Sequence, residues 1–310
     1  MYLVIDIGSN TIRAVVFHLE GKTLIPVLNK KYSAGLAGYV QADGALSRTG
    51  IELCLDVLSE ICTLIEAFKF DGVYPFATAS LRNISNSGQV LDEIRQRCGL
   101  EVKLLTGREE AFYDYYGASR HLAARDGVLV DIGGGSTEIL LYEDGRPQTA
   151  ESIEMGSLNL YNRFVSGIVP DKEEIRAICA AVRNQISALG FAEYDKKKGA
   201  RPVICAVGGS ARAALKLYNS LYAQDKSNLS YKRYFLKSLL TARCVRCDQE
   251  QLTQLILRIA PERIHTLLPG IAVLYSVAKY FGGKEIVTSS YGVREGYLYC
   301  QLKKAGLIDG

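Results

Sequence analysis

The sequence predicts a duplicated, two-domain α/β protein, and three observations carry that prediction. The first is an internal repeat. Val4-Ile5-Asp6-Ile7-Gly8-Ser9-Asn10-Thr11-Ile12-Arg13 has a counterpart in Leu129-Val130-Asp131-Ile132-Gly133-Gly134-Gly135-Ser136-Thr137-Glu138, with the two Asp a domain length apart. The second is the alternation of strand-like and helix-like segments through both halves. The third is length, because 310 residues are about twice a common single domain.

Taken in order, each repeat reads as a hairpin: an apolar strand ending in Asp, a tight Gly/Ser turn, and a second strand over 12–19 or 138–142. A strand at 23–27 and a loop at 35–44 follow the first hairpin. The segment 47–70 carries apolar residues at helical spacing (Leu53, Val57, Ile61, Leu64, Ile65, Phe68). A short strand at 73–77 leads into Thr78 to Asn83, then a helix to Cys98, a strand at 102–105 and a helix over 108–125. The boundary falls at Asp126-Gly127, giving domains 1–126 and 127–310, with the last helix placed to pack back on the first domain. In the second half the hairpin 128–143 is followed by a polar, partly helical stretch to Pro170 and a helix at 171–189. A strand at 202–207, helices around 230–260 and 268–281, a strand at 285–288 and a closing helix from Arg294 complete the chain.

Hydrophobic residues make up 48% and charged ones 23%, the balance of a folded globular chain rather than a disordered one. The formal net charge of +4 lacks the density of a duplex-binding surface, so no nucleic-acid partner is expected. The runs Lys30-Lys31 and Lys196-Lys197-Lys198 read as solvated turns. Eight Cys scattered through mostly apolar stretches suit reduced thiols of a cytoplasmic protein. Cys244 and Cys247 form a CxxC without a second ligand pair and read as chance proximity. The opening Met1-Tyr2-Leu3-Val4-Ile5-Asp6 lacks a secretory signal, and no apolar run reaches a membrane span, so no membrane partner is expected.

Turns of Gly and Ser let backbone amides converge on an anion, although any hairpin also uses Gly for its geometry. Two such turns, each after a strand-ending Asp, can face one another across a cleft and grip a ligand with several phosphates. Val207-Gly208-Gly209-Ser210 puts glycines between a strand and a helix, which is either an anion-binding helix start or a tight turn. Neither GxxxxGK[ST] nor a placed GxGxxG occurs, and with His18, His121 and His265 the only histidines, metalloprotease and serine-hydrolase readings fail. Acid/base chemistry therefore falls to carboxylates. In Gly107-Arg108-Glu109-Glu110-Ala111 either Glu serves the helix dipole, takes a proton from water or holds Mg²⁺. Arg82 reads as a bidentate phosphate contact or a surface ion pair.

Together these residues resemble the exopolyphosphatase/guanosine pentaphosphate phosphatase family across nearly the whole chain. Residues 6–13 look like its first phosphate loop, Ala77-Thr78-Ala79-Ser80-Leu81-Arg82 like its ATSALR motif and residues 107–111 like its GxEEA motif. Asp131 to Glu138 resembles the second loop. Val207-Gly208-Gly209-Ser210 is similar to the GGT element, and Tyr291-Gly292-Val293-Arg294-Glu295-Gly296 to the GLREG signature.

The resemblance implies an actin-like, sugar-kinase-like (ribonuclease H-like) fold and hydrolysis of terminal phosphate from polyphosphate or guanosine pentaphosphate. It makes Glu110 the catalytic base, with Glu138 assisting, and gives Mg²⁺ or another divalent cation to Asp131, Glu138 and Asp6. The implied phosphate-binding set is Gly8, Ser9, Asn10, Thr11, Arg13, Arg82, Gly133, Gly134, Gly135, Ser136, Thr137, Gly208, Gly209 and Ser210. The chain departs from the family at Ser290, where Asp is frequent, and looks like the short form without a C-terminal helical extension. A homodimer is compatible with it. Two rivals are an ATP-dependent kinase of the same superfold and a polyphosphate- or nucleotide-binding regulator without turnover.

Overall fold

The computed structural model describes residues 1–189, 191, 203–222, 227–241 and 249–308. The Lys196-Lys197-Lys198 run and the Cys244/Cys247 pair lie outside them. Two mixed sheets form the frame. The first has the order β3-β2-β1-β4-β5, from β1 (Tyr2–Ile7), β2 (Ile12–Glu20), β3 (Thr23–Tyr32), β4 (Gly72–Ala77) and β5 (Lys103–Leu104). The second has the order β10-β11-β9-β6-β7-β8, from β6 (Gly127–Ile132), β7 (Thr137–Glu143), β8 (Arg146–Ile153), β9 (Val203–Val207), β10 (Ser230–Lys232) and β11 (Glu285–Thr288).

The duplication holds at the level of single hydrogen bonds. In the first hairpin Asp6 pairs with Arg13 and Ile7 with Ile12; in the second Asp131 pairs with Glu138 and Ile132 with Thr137. Gly8 N donates to Thr11 O at 3.0 Å, and Gly133 N donates to Ser136 O at 3.0 Å. Each central strand then pairs in parallel with the strand that follows a crossover, β1 with β4 and β6 with β9.

Helix α1 (Arg48–Ala67) starts at Ser47, whose hydroxyl accepts from Gly50 N. Its buried stripe is Ile51, Cys54, Leu55, Leu58 and Ile61, so the core-facing side is rotated from the stripe that the sequence predicts, and Phe68 is exposed. Each fully buried Leu or Ile contributes about 1.5–3 kcal/mol over exposure. The short α2 (Ala79–Arg82) and α3 (Ser87–Cys98) complete that face.

In the second half α5 (Ser157–Phe164), α6 (Lys172–Ala188), α7 (Gly208–Tyr222) and α8 (Arg233–Leu240) surround α10 (Leu267–Tyr280), which is buried along most of its length, and α9 (Gln249–Ile259) packs on α7.

Two strands were not read from the sequence. Residues 146–153 form β8 rather than a polar, partly helical stretch, and 230–232 form β10 ahead of α8. Both lie at sheet edges, and β8 shows its mostly polar residues to solvent, so the period-2 signal of a half-buried strand is weak there.

Two helices exchange between the sheets. The helix α4 (Gly107–Ser119) buries Ala111, Tyr115 and Ala118 against Leu129, Leu140 and Val207 of the second sheet. Helix α11 (Val293–Lys304) returns to cover Val4, Phe17 and Phe76 of the first with Tyr297, Leu298 and Leu302. The two cross backbone to backbone. A Cβ on Gly296 would collide with Tyr113 O, and one on Gly117 with Gly292 O.

Candidate active site

The two hairpin tips meet. A Cβ built on Gly134 would lie 3.5 Å from Ser9 Cβ, and one on Gly135 would lie 2.8 Å from Ser9 Oγ. They enclose one wall of a cavity of about 140 Å³.

At each tip the carbonyls are already taken. Gly35 N donates to Asn10 O at 2.9 Å and Ala37 N to Ser9 O at 3.0 Å. In the second tip Ser157 N donates to Gly133 O and Leu158 N to Gly134 O, both at 2.9 Å, while Asn159 Nδ2 donates to Gly135 O at 2.8 Å. Gly156 is required there, because a Cβ on it would collide with Gly134 O. Tips whose carbonyls are engaged present amides to an anion.

The cavity also has an acidic lining of Asp6, Glu110, Asp114 and Asp131. The Glu109-Glu110 pair divides its roles at the start of α4. Glu109 closes a capping box, accepting from Thr106 N at 2.9 Å, and pairs with Lys103. Glu110 turns inward and is 6% exposed. Its Oε2 accepts from Arg82 Nη1 at 3.0 Å. Glu138 is fully buried, accepts from Ser152 Oγ at 2.7 Å and stands 3.7 Å from Arg82 Nη2. Carboxylate oxygens of Glu110, Asp131 and Glu138 all lie within 4.8 Å of one another.

Burial dominates the electrostatics. It pushes Glu138 up to about 7, with Asp131 adding to the rise. It holds Glu110 well above the usual range, with Glu138 next and Arg82 opposing. Asp131 and Asp6 are raised by burial too, against the pull of nearby arginines. Asp131 Oδ1 and Glu138 Oε2 have no hydrogen-bond partner. Orphaned, buried carboxylate oxygens so close together fit a hard divalent cation.

A cationic wall completes the cavity: Arg13, Arg212, Arg263 and Arg294 all line it. Burial and the charges of Arg294 and Arg212 lower Arg13 to about 10. Burial likewise lowers Arg212 and Arg263. Crowded, desolvated cations favour an anionic guest.

The structure brings Asp6, Gly8, Ser9, Asn10, Thr11, Arg13, Glu110, Asp131, Gly133, Gly134, Gly135, Ser136, Gly208 and Gly209 to the cavity. Gly208 has φ +87, and a Cβ there would strike Asp131 Oδ1.

Four expected residues do not line the cavity. Arg82 is not among the lining residues; its guanidinium donates to Glu110 and, at 2.8 Å, to Leu105 O. Thr137 donates to Met155 O at 2.8 Å and is fully buried. Ser210 is 1% exposed, with Gly270 packed over its hydroxyl. Glu138 does not line the cavity but belongs to the acidic triad with Glu110 and Asp131. Asp6, expected among metal ligands, stands outside that triad with Arg294 Nε at 3.8 Å. Ser290 is exposed and does not line the cavity.

Residues that the sequence reading missed are Arg212, Arg263, Arg294 and Asp114. Arg294 lies within the motif at 291–296, Arg212 two residues after Ser210, and Asp114 one helical turn after Glu110. Arg263 has no local signal.

A family model for the Ppx/GppA phosphatase family matches residues 15–305. The chain belongs to this family. It is 27% identical over 311 residues to a guanosine-5'-triphosphate,3'-diphosphate pyrophosphatase of Aeromonas hydrophila, covering 96% of this chain and 59% of that one. The chain thus spans less than two thirds of that relative. A putative exopolyphosphatase of Haemophilus influenzae is 25% identical over 309 residues, covering 98% of this chain and 92% of its own. Among solved structures, the Aquifex aeolicus Ppx/GppA family member superposes with a TM-score of 0.80 at 24% identity, covering 98% of each chain. An exopolyphosphatase from Cytophaga hutchinsonii gives 0.80 at 20% identity, again covering 98% of each chain. These likenesses establish the actin-like, duplicated α/β fold of this Ppx/GppA member. No helix among the described residues is long and apolar enough to cross a membrane.

Proposed function

We propose that this chain hydrolyses the terminal phosphoanhydride of inorganic polyphosphate or of guanosine pentaphosphate. The observation that carries the reading is the lining of one cavity. Paired hairpin tips and four arginines share it with Glu110 and Asp131 of a buried acidic triad. A chain of phosphates suits the amides and arginines, and its terminal phosphoryl group the acids. The names of the relatives, a pyrophosphatase and a putative exopolyphosphatase, support the same chemistry.

In this proposal the phosphates lie along the amides of residues 9–10 and 134–136, with Arg13, Arg212, Arg263 and Arg294 balancing their charge. Glu110 takes a proton from the attacking water as its oxygen bonds to the terminal phosphorus and the anhydride P–O bond breaks. Arg82, bonded to Glu110 Oε2, fixes the carboxylate so that Oε1 is the basic atom. A raised affinity for protons suits a base working near neutral pH. Asp131 and Glu138 would hold a divalent cation such as Mg²⁺, which when bound neutralises charge on the phosphoryl oxygens.

The test is phosphate release from short polyphosphate, long polyphosphate, pppGpp and ATP, side by side with Mg²⁺ and no acceptor but water. Release from polyphosphate or pppGpp is expected. Release that requires a second acceptor would favour the kinase, and none after prolonged incubation would favour the binding protein.

A further inference from the structure

Four carboxylates cluster in and beside the cavity, and the chemistry above uses three. The fourth, Asp114, follows Glu110 by one helical turn on α4 and shares its face. It lines the cavity, is 0% exposed, and neither of its oxygens has a hydrogen-bond partner. The Val293 amide at the start of α11 faces it without closing a hydrogen bond. Gly292 lets backbone lie against it, since a Cβ there would stand 2.9 Å from Asp114 Oδ1.

Among the described residues no cation pairs with it. Arg82 is engaged with Glu110 and Glu138, and Arg294 faces Asp6. The charges that bear on Asp114 are instead those of Asp131, Glu110 and Glu138. Asp114 and Asp131 line the same cavity. A buried carboxylate with acidic neighbours and no cation beside it is unfavourable in an empty cavity. It becomes favourable around a divalent cation.

One Mg²⁺ is commonly held by one or two carboxylates and otherwise by water and phosphate, so the triad alone suffices for a first ion. Four carboxylate oxygens there are buried and orphaned: Glu138 Oε2 and Asp131 Oδ1 within the triad, and Asp114 Oδ1 and Oδ2 outside it.

We propose that the cavity takes two divalent cations bridged by Asp131, with Asp114 the ligand of the second. The proposal rests on the phosphoanhydride-hydrolase reading, for which a pair of ions about 3.5–4 Å apart suits attacking and leaving oxygens.

The experiment counts Mn²⁺ by equilibrium dialysis on metal-stripped wild type and Asp114→Asn, with thermal unfolding alongside. The expected result is two ions per wild-type chain and one per variant. Asn is isosteric and uncharged, so Asp114→Asn should match or exceed the wild-type Tm in EDTA while gaining less Tm from Mn²⁺. One ion in both proteins, or two in both, overturns the proposal. Electron paramagnetic resonance of Mn²⁺-saturated wild type needs no variant: spin-coupled ions are expected, and an uncoupled single-ion spectrum overturns it. Phosphate release from polyphosphate, assayed in the same wild-type preparation, reports separately on the hydrolase reading.

Discussion

Arg82 Nη1 donates to Glu110 Oε2 at 3.0 Å, so the acid that faces the cavity is held by a cation that does not. The same guanidinium reaches Glu138 at 3.7 Å and the Leu105 carbonyl, linking α2, α4 and β7 behind the triad. The position of Glu110 therefore depends on charge pairing as well as on helix geometry.

Removing the base tests its role directly. Glu110→Gln is expected to lower phosphate release by about 10²- to 10⁴-fold while leaving the fold intact, because the amide keeps the shape and cannot take a proton. Far-UV circular dichroism and the Tm verify folding. Turnover near that of wild type would reject Glu110 as the base.

Arg82→Ala removes the only described counter-charge of Glu110. Breaking a buried pair leaves an uncompensated carboxylate, so a loss of about 3 kcal/mol is expected in urea unfolding, together with reduced activity. Arg82→Lys should recover part of the stability and less of the activity, because an ammonium cannot hold both acids in a fixed fork. An unchanged unfolding midpoint in Arg82→Ala would contradict the pairing.

Gly296→Ala tests the contact between the exchanged helices. A methyl group there meets Tyr113 O, which is backbone and cannot rotate away, so α4 and α11 must separate. Overpacking of this kind costs about 1–3 kcal/mol. Phosphate release should fall as well, since α4 carries Glu110. A variant as stable and active as wild type would show that the crossing is looser than described.

The buried acids fix a pH dependence. Glu138 rises from the ordinary 4.5 to about 7 in the fold, chiefly through burial. The folded state then binds more protons than the unfolded state, so metal-free protein loses stability as pH rises across that interval. A cation that replaces those protons should restore Tm most at the upper end. Thermal unfolding in EDTA and in Mg²⁺ between pH 4.5 and 7 measures both curves. Parallel curves would mean that the acids hold no cation.

Much of the frame was legible because it is written in local pattern. The hairpins at 4–13 and 129–138 announce themselves through apolar strands, an Asp and a Gly-rich turn, and their tips do converge. The edge strand β8 was not legible, since a strand with one solvated edge and mostly polar residues carries little periodicity. Nor was Arg263, which reaches the cavity from a short turn with no motif around it and packs where a Cβ on Gly209 would be.

By itself the sequence determined the duplicated α/β class and nominated the two turns and the Glu109-Glu110 pair, because these follow from residue spacing along one chain. Only the tertiary structure decided that Glu109 caps its helix while Glu110 enters the cavity, that Arg82 restrains acids from behind the wall, and that Asp114 is left without a partner. Those outcomes depend on which groups distant segments bring within a few ångströms, and on how far burial removes water from them, neither of which spacing alone encodes.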